Sequence, residues 1–504
     1  MRYGFAIDQR TCIGCHACTV ACKTEHEVPV GQFRTWVKYV ESGTYPDTTR
    51  RFGVMRCNHC TDAPCVKACP THALFTRDDG IVDFDKDNCI GCKTCMQACP
   101  YDAIYIDEET HTAAKCNFCA HRVDAGLEPA CVVVCPTHSI WVGDLDDASS
   151  GIAGLVRDNP VAVRAPEQDT GPNVFYLGAD RAVLDPLEAP ADATYIYATP
   201  DAQRAATAAE IAAEADGDAR LTLNTAHPRP WGWRVWTYMW TKAVGAGALG
   251  LAALAGLLGV PLGAAGSVAA PALAVVMTAL TALLLVWDLK RPERFLYILL
   301  RPNPRSWLMW GSWVLIGFSG VGLALLACGV FDVAGPLTVL RWLALPAAAL
   351  AAGYTAFLFG QAEGRDLWQS PVLFWHLLAQ AATVGGGALL VAAPVLGVPA
   401  SGERFLTRAF VLAAVANLLV LAIEYAGKHA SRSAALAAHM LTRGRYARWF
   451  WSAAALTALA AVLAALGWSG TAPVLGLVSG VLAQPALLAY ERVFVRAGQD
   501  VPLS

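Results

Sequence analysis

An α+β domain followed by an all-α membrane domain of eight transmembrane helices is the fold class this sequence predicts, on two observations. Sixteen of the seventeen cysteines lie in the first 135 residues, and the chain turns from mixed to strongly apolar composition near residue 230. With 55% hydrophobic residues and a mean hydropathy of +0.40, the chain is too apolar to be purely soluble. The net charge of −3 carries no information by itself, because the placement of the charges matters more, and nothing in the sequence points to nucleic acid.

The cysteines fall into four groups of four. Cys12, Cys15, Cys18 and Cys22 follow C-x2-C-x2-C-x3-C, and Cys57, Cys60, Cys65 and Cys69 follow C-x2-C-x4-C-x3-C-P. Cys89, Cys92, Cys95 and Cys99 repeat the first spacing with Pro100 behind, and Cys116, Cys119, Cys131 and Cys135 follow C-x2-C-x11-C-x3-C-P. Short spacings let successive thiolates wrap one iron–sulfur cube, while the cysteine after x3 reaches to a second cube, as in two-cluster ferredoxins. Paired C-x2-C groups also bind zinc, but zinc rarely needs a third cysteine at x2 and a fourth at x3 before Pro. A disulfide framework belongs to a secreted domain, and the polar start MRYGFAIDQR carries no signal peptide. The expectation is therefore four [4Fe–4S] clusters with the sixteen cysteines as metal ligands in a ferredoxin-like iron–sulfur domain. Cys328, alone in an apolar run, reads as an inert buried thiol.

Between the cysteines, GIVDFD, AIYID and SIWVGD read as short strands, and the repeated spacing suggests two bicluster units. NVFYLG (173–178) and TYIYA (194–198) read as further strands and AQRAATAAEIAAEA (202–215) as a short helix. The expected division is an electron-transfer domain over 1–180, a linker over 181–232 and a membrane domain over 233–504. Eight apolar segments can each supply the roughly 20 helical residues a bilayer needs. They lie near 235–258, 267–287, 307–329, 338–361, 371–393, 405–425, 447–467 and 472–494. Trp231, Trp233, Trp236, Tyr238, Trp307, Trp310, Trp368, Trp375, Trp449 and Trp451 cluster at their ends, as interfacial belts do.

An even number of crossings puts the cysteine domain and the C-terminus on one side. The loops of that side carry Lys290, Arg291, Arg294, Arg301, Arg305, Arg365, Lys428, Arg432, Arg443, Arg445 and Arg448, against Arg341, Arg404 and Arg408 opposite. The positive-inside rule then places the cysteine domain on the cytoplasmic side of an inner (cytoplasmic) membrane, and the N-terminus shows no twin-arginine signal.

The cysteine domain resembles the B-type electron-transfer subunits of the molybdopterin oxidoreductases, such as the DMSO and polysulfide reductases, over roughly residues 3–180. WRVWTYMWTKAVGAG (233–247), WDLKRPERFLYILLRPNPRSWLMWGSW (287–313) and AGYTAFLFGQAEGRDLW (352–368) resemble the NrfD/polysulfide reductase C-type quinone anchor. The resemblance implies a natural fusion of the two subunits. Its implied partners are membrane lipid, menaquinone or ubiquinone, and a separate molybdopterin-containing catalytic subunit; a cytoplasmic active site would suit sulfite oxidation, or reduction of an oxyanion or sulfur compound, by that subunit. It also implies crossed ligand sets: Cys12, Cys15, Cys18 with Cys135; Cys116, Cys119, Cys131 with Cys22; Cys57, Cys60, Cys65 with Cys99; and Cys89, Cys92, Cys95 with Cys69.

A quinone exchanges two electrons and two protons, so its pocket needs a donor at each carbonyl and a titratable route to water. Polar groups inside apolar helices are functional candidates by default. Tyr238, Lys242, Asp288 and Tyr354 stand near the cysteine-side ends of the first, second and fourth helices and form the candidate quinone site; the resemblance places a quinone-contacting tyrosine in the helix of Tyr354. Each has a structural alternative: Tyr238 as an interfacial anchor, Lys242 snorkelling to the surface, Asp288 paired with Lys290 or Arg291. Glu363, His376 and Glu424 are candidates for a proton path, with Gln380 nearby. His376 is the only histidine well inside an expected helix, so bis-histidine haem is not expected.

Overall fold

The computed structural model describes residues 1–191, 218–225, 227–468 and 473–504. The expected strand 194–198 and helix 202–215 lie outside the described residues.

Strand β1 (Tyr3–Asp8) anchors the iron–sulfur domain. It pairs in parallel with β10 (Val174–Leu177) and antiparallel with β8 (Ile140–Asp144), and β9 (Val161–Ala162) closes the far edge. The first and last parts of the domain are thereby joined in one sheet, whose Phe5, Ile7, Val174 and Tyr176 are fully buried. Two small hairpins, β4–β5 (Leu74–Thr76, Val82–Phe84) and β6–β7 (Ile104–Ile106, Ala113–Lys115), are the structural form of the internal repeat. A longer hairpin, β2–β3 (Thr35–Thr44, Asp47–Arg56), is not among the elements expected from the sequence. Its outer half carries Glu41, Arg50 and Arg51, which obscures the apolar alternation. Strand β11 (Arg220–Leu223) adds to β2, so part of the expected linker is built into this domain.

Short helices follow the cysteine loops, at Ala17–His26, Pro64–Ala68, Thr94–Ala98, Ala120–Val123 and Ala130–Val133. The sequence Cys-Ile-Gly-Cys occurs twice, and both glycines, Gly14 and Gly91, are left-handed with φ of +69° and +67°. A side chain on Gly91 would strike Lys290 of the membrane domain at 2.5 Å, so glycine there serves both the turn and the docking.

Among the described residues, eight helices are long and apolar enough to cross a membrane: α1 (Trp233–Leu257), α2 (Ala265–Asp288), α3 (Trp307–Val330), α4 (Leu337–Gly360), α5 (Leu373–Leu396), α6 (Ala400–Ala426), α7 (Ala447–Leu466) and α8 (Pro473–Asp500). The centre of the bundle is α1, with 72% of its most apolar stretch buried against 28% for α2 and α3. It packs on α2, α4, α5 and α8. Helix α6 begins five residues earlier than expected and α8 ends six later, because Gln499 and Asp500 are buried at the junction with the first domain rather than fraying into water. Trp233, Trp310, Trp375, Trp449 and Trp451 are exposed, as belt residues should be, whereas Trp231 and Trp368 are buried and stacked at 5.3 Å.

Without a hydrophobic force between helices in lipid, close approach of small residues holds such a bundle. Gly247 of α1 and Gly385 of α5 provide it: a Cβ on Gly247 would meet the Ala381 carbonyl oxygen at 1.8 Å, and one on Gly385 the Ala248 amide at 2.2 Å. Gly247→Val must separate these helices; overpacking of this kind costs about 1–3 kcal/mol. A lowered thermal midpoint in detergent, with Gly320→Ala, which meets nothing within 4 Å, as the tolerated comparison, is the expected result.

Candidate functional site

The sixteen cysteine side chains come together in four neighbourhoods. Cys135 lies within electrostatic reach of Cys12, and Cys22 within reach of Cys119 and Cys131. Cys99 stands among Cys57, Cys60 and Cys65, while Cys69 stands among Cys89, Cys92 and Cys95. The neighbourhoods also connect in a line, Cys18 to Cys131, Cys116 to Cys57, and Cys95 to Cys65. Among the described residues, no three His, Cys, Asp or Glu side chains close on a single metal ion. Backbone N–H groups of Gly91 and Ala113 point at the Cys89 sulfur at 3.4 Å, and that of Ser139 at the Cys135 sulfur at 3.2 Å, as bonds to thiolates would. Burial pushes the thiols of Cys22, Cys60 and Cys92 up to about 12, so taking up metal must expel their protons.

The neighbourhood of Cys69, Cys89, Cys92 and Cys95 is the one fastened to the membrane domain. The backbone amides of Lys290 and Arg291 donate to the Gly91 and Ile90 carbonyls at 3.2 Å. Asn303 donates through Nδ2 to the Cys69 carbonyl at 2.7 Å, Ser306 to that of Ala68 at 2.9 Å, and Arg294 to that of Cys89 at 3.2 Å. Lys93, left-handed beside Cys92, pairs with Asp288 at 2.6 Å. Burial pulls the Lys93 ammonium down and the Asp288 charge resists this. At the other end, Cys15 is exposed and Cys12 and Cys135 are half-buried, amid exposed Ile13, Val20 and Val133.

Within the membrane helices, Lys242 does not snorkel. It turns inward, donates to the Ala352 carbonyl at 2.9 Å and to the Thr355 hydroxyl, and lies 4.6 Å from the centre of the Tyr354 ring. Tyr354 packs on the bare backbone of Gly311. Tyr238 is buried rather than interfacial and within electrostatic reach of Tyr354 and Asp288. Asp288 faces neither Lys290 nor Arg291 but Lys93, with Arg234 at 3.7 Å, at the edge of a 710 Å³ groove between the domains that also takes in Trp233 and Trp287. Three of the four candidates thus form one buried group, while Asp288 belongs to the seam.

The proton-path candidates separate in the same way. Glu363 lies in the loop after α4, where burial raises its carboxyl and Lys67 of the first domain opposes this. His376 and Glu424 lie together inside the bundle, Nδ1 to Oε2 at 3.3 Å but not aligned to hydrogen-bond, and Gln380 reaches the His376 Nε2 at 3.1 Å. The sequence reading missed Glu491 of α8, which is fully buried, has an oxygen with no partner, and interacts with the Lys242 charge. Its signal was present, an acid in the apolar run ALLAYERVFV, but it stood too near the expected helix end to draw notice.

Fold and site together define an iron–sulfur electron-transfer protein joined to a multi-pass membrane anchor. Residues 222–495 match the family described as polysulphide reductase, NrfD, and residues 49–145 match a 4Fe-4S dicluster domain. The protein belongs to the NrfD polysulphide reductase family, with an iron–sulfur subunit fused ahead of the anchor. It is 47% identical over 190 residues to the B subunit of tetrathionate reductase from Salmonella typhimurium, covering 37% of this chain and 76% of that protein. It is 38% identical over 187 residues to the B polypeptide of polysulfide reductase from Wolinella succinogenes, covering 36% of this chain and 98% of that protein. Over 227 residues it is 35% identical to the arsenate respiratory reductase iron-sulfur subunit of a Shewanella species, covering 35% of this chain and 96% of that protein.

Asp288→Asn leaves the Lys93 ammonium buried without its carboxylate. Breaking a buried pair from one side costs about 3–5 kcal/mol. The variant should lose its first domain to limited proteolysis sooner than the wild type. Lys93→Met combined with Asp288→Leu should recover most of the resistance, since neither charge then remains uncompensated.

Proposed function

We propose that this chain passes electrons between membrane quinone and a molybdopterin-containing catalytic subunit, through four [4Fe–4S] clusters held by the crossed cysteine sets. The carrying observation is the line of four cysteine neighbourhoods, seated on the membrane domain at Cys69, Cys89, Cys92 and Cys95 and open to solvent at Cys15. Electrons tunnel poorly over long gaps, so such a line needs a donor at its covered end and a docked partner at its open end. The exposed apolar residues Ile13, Val20 and Val133 beside Cys15 suit that partner. The named relatives, subunits of tetrathionate, polysulfide and arsenate reductases, support a reductase complex acting on sulfur or arsenic compounds.

The clusters, when bound, supply the one-electron steps. The chain's own part is to hold them in line and to hold the quinone. Tyr354 and Lys242 are the donors for one headgroup carbonyl and Tyr238 stands within the same buried group; Asp288 keeps the seam to the nearest cluster closed. Tyr354→Phe removes one hydroxyl and little volume. Losing that hydrogen bond should cost about 0.5–1.5 kcal/mol, hence roughly twofold to tenfold in quinone-dependent turnover. Reduction by an artificial dye acting at the clusters should persist. Unchanged quinone turnover in Tyr354→Phe and in Lys242→Met would put the site elsewhere.

The positive loops Lys290, Arg291, Arg294 and Arg365 all contact the iron–sulfur domain's side of the bundle, which supports a cytoplasmic iron–sulfur domain by the charge rule. Protease treatment of intact spheroplasts should therefore leave the iron–sulfur domain uncut; cleavage from outside reverses the orientation.

A second reading has its own observation. His376, Gln380, Glu424 and Asn417 present buried polar atoms without partners beside a small cavity lined by Gln380, Thr383, Asn417, Thr457 and Tyr490. Unpaired polar atoms in a membrane bundle suit a proton path, so quinone chemistry here is coupled to proton movement through α5, α6 and α8. Of the two acids expected to carry it, Glu424 stands in this cluster and Glu363 outside it.

A further inference from the structure

Arg56 is the last residue of β3 and immediately precedes Cys57. Its side chain is completely buried. Nη1 donates to the Cys131 sulfur at 3.2 Å, and the guanidinium lies 4.4 Å from the centre of the Phe5 ring. Nε and Nη2 are buried and have no partner. The anionic groups acting on it are the sulfurs of Cys131, Cys116 and Cys18, not a carboxylate. A buried guanidinium with two idle N–H groups is costly unless a negative charge stands against it. The sulfurs of Cys131, Cys116 and Cys18, with whatever they bind, are the charges that act on it most.

We propose that Arg56 raises the reduction potential of the cluster held by Cys22, Cys116, Cys119 and Cys131, with Nε and Nη2 donating to that cluster. This rests on the ligand sets of the proposed function. On reduction the cluster takes one electron from its neighbour in the line and gains one negative charge. No bond forms or breaks, and no proton moves, because a guanidinium stays charged. A fixed cation beside the cluster therefore favours the reduced state. Hydrogen bonds to the sulfurs act in the same direction, and both are recognised means of tuning cluster potentials. Cys18 belongs to the next set outward, so that cluster feels the same charge more weakly. In the next set inward, Cys60, Cys65 and Cys99 are influenced mainly by one another and not by Arg56.

The effect has a placement. The raised potential falls on the second cluster from the open end, so an electron rests there beside the outermost cluster. Passing it outward is then less favourable by the same shift.

The test is an EPR-monitored redox titration of the whole protein with its iron content measured alongside. Wild type should contain about sixteen irons per chain by the four-cube stoichiometry; a value near eight refutes the four-cluster reading, whatever Arg56 does. In Arg56→Gln at wild-type iron content, one transition should move to lower potential by about tenfold in its reduction equilibrium, 59 mV for one electron. A second should move less, and two should stay. Arg56→Lys keeps the charge and loses the fork, so its shift should be smaller. No shift in Arg56→Gln, or an equal shift of all four, overturns the proposal. Should Arg56→Gln lose iron, Arg56→Lys decides alone: a single lowered transition supports the proposal, and an unmoved set refutes it.

Discussion

The junction between the Cys89–Cys99 loop and the chain after α2 is the constraint on which the rest depends. A membrane site and a line of clusters are useful to each other only if the gap between them is short and fixed. Here it is fixed by two kinds of bond. Backbone pairs from Lys290 and Arg291 to Gly91 and Ile90 set the register. The Lys93–Asp288 pair then sets two charges into a place where water is largely excluded. Gly91 makes this possible, since any larger residue would hold the loop away from Lys290. The strict Cys-Ile-Gly-Cys sequence of this group thus meets two demands, a left-handed turn around a cluster and a flat face for docking.

What was legible in the sequence divides by physical range. Thiolate spacing is local, so all sixteen cysteines could be grouped from their positions alone. Helical length in a bilayer is local too, and the eight spans came within a few residues. The errors lie where a third party intervenes. Helix α8 continues to Asp500 because Arg229, Arg445 and Tyr446 converge on that carboxylate. Trp231 and Trp368 read as belt residues but stack on each other under the first domain. Asp288 read as a membrane acid, and its partner Lys93 is 195 residues away. No periodicity reports such a pairing, and the same holds for Arg56, whose surroundings are assembled from β1, β3 and two distant cysteine groups.

Buried charge is handled differently in the two domains. In the first, Arg56 stands among cysteines, and the cation and the sulfurs answer one another. In the second, Lys242 satisfies itself on a helix carbonyl and a hydroxyl, with Glu491 the acid that acts on it. The first arrangement holds its charge whether or not a substrate is present. The second leaves Glu491, Glu424 and His376 with polar atoms still to be satisfied. Groups that change protonation are best placed where their partners are incomplete, and groups that only bias an electron are best placed where charge is permanent. The difference between the halves suits the proposed division of labour, electrons in the first and protons in the second.

Fusing the two halves into one polypeptide raises their effective concentration but does not set their geometry. A covalent link alone does not fix a relative position. The specific contacts remove that freedom. Arg365, buried in the loop after α4, donates to Gln97 near Cys99 at 3.0 Å and to the carbonyls of Gln499, in the last turn of α8, and Val501, just beyond it. Gln97 in turn donates to Gln499 at 2.7 Å. Three segments far apart in sequence are joined at one guanidinium, on the opposite flank of the Cys99 loop from Lys93. Two such points on the short helix Thr94–Ala98 prevent it from rocking on the membrane surface. A single point would keep the domains together, but tunnelling depends on distance so steeply that only the second point makes the tether useful.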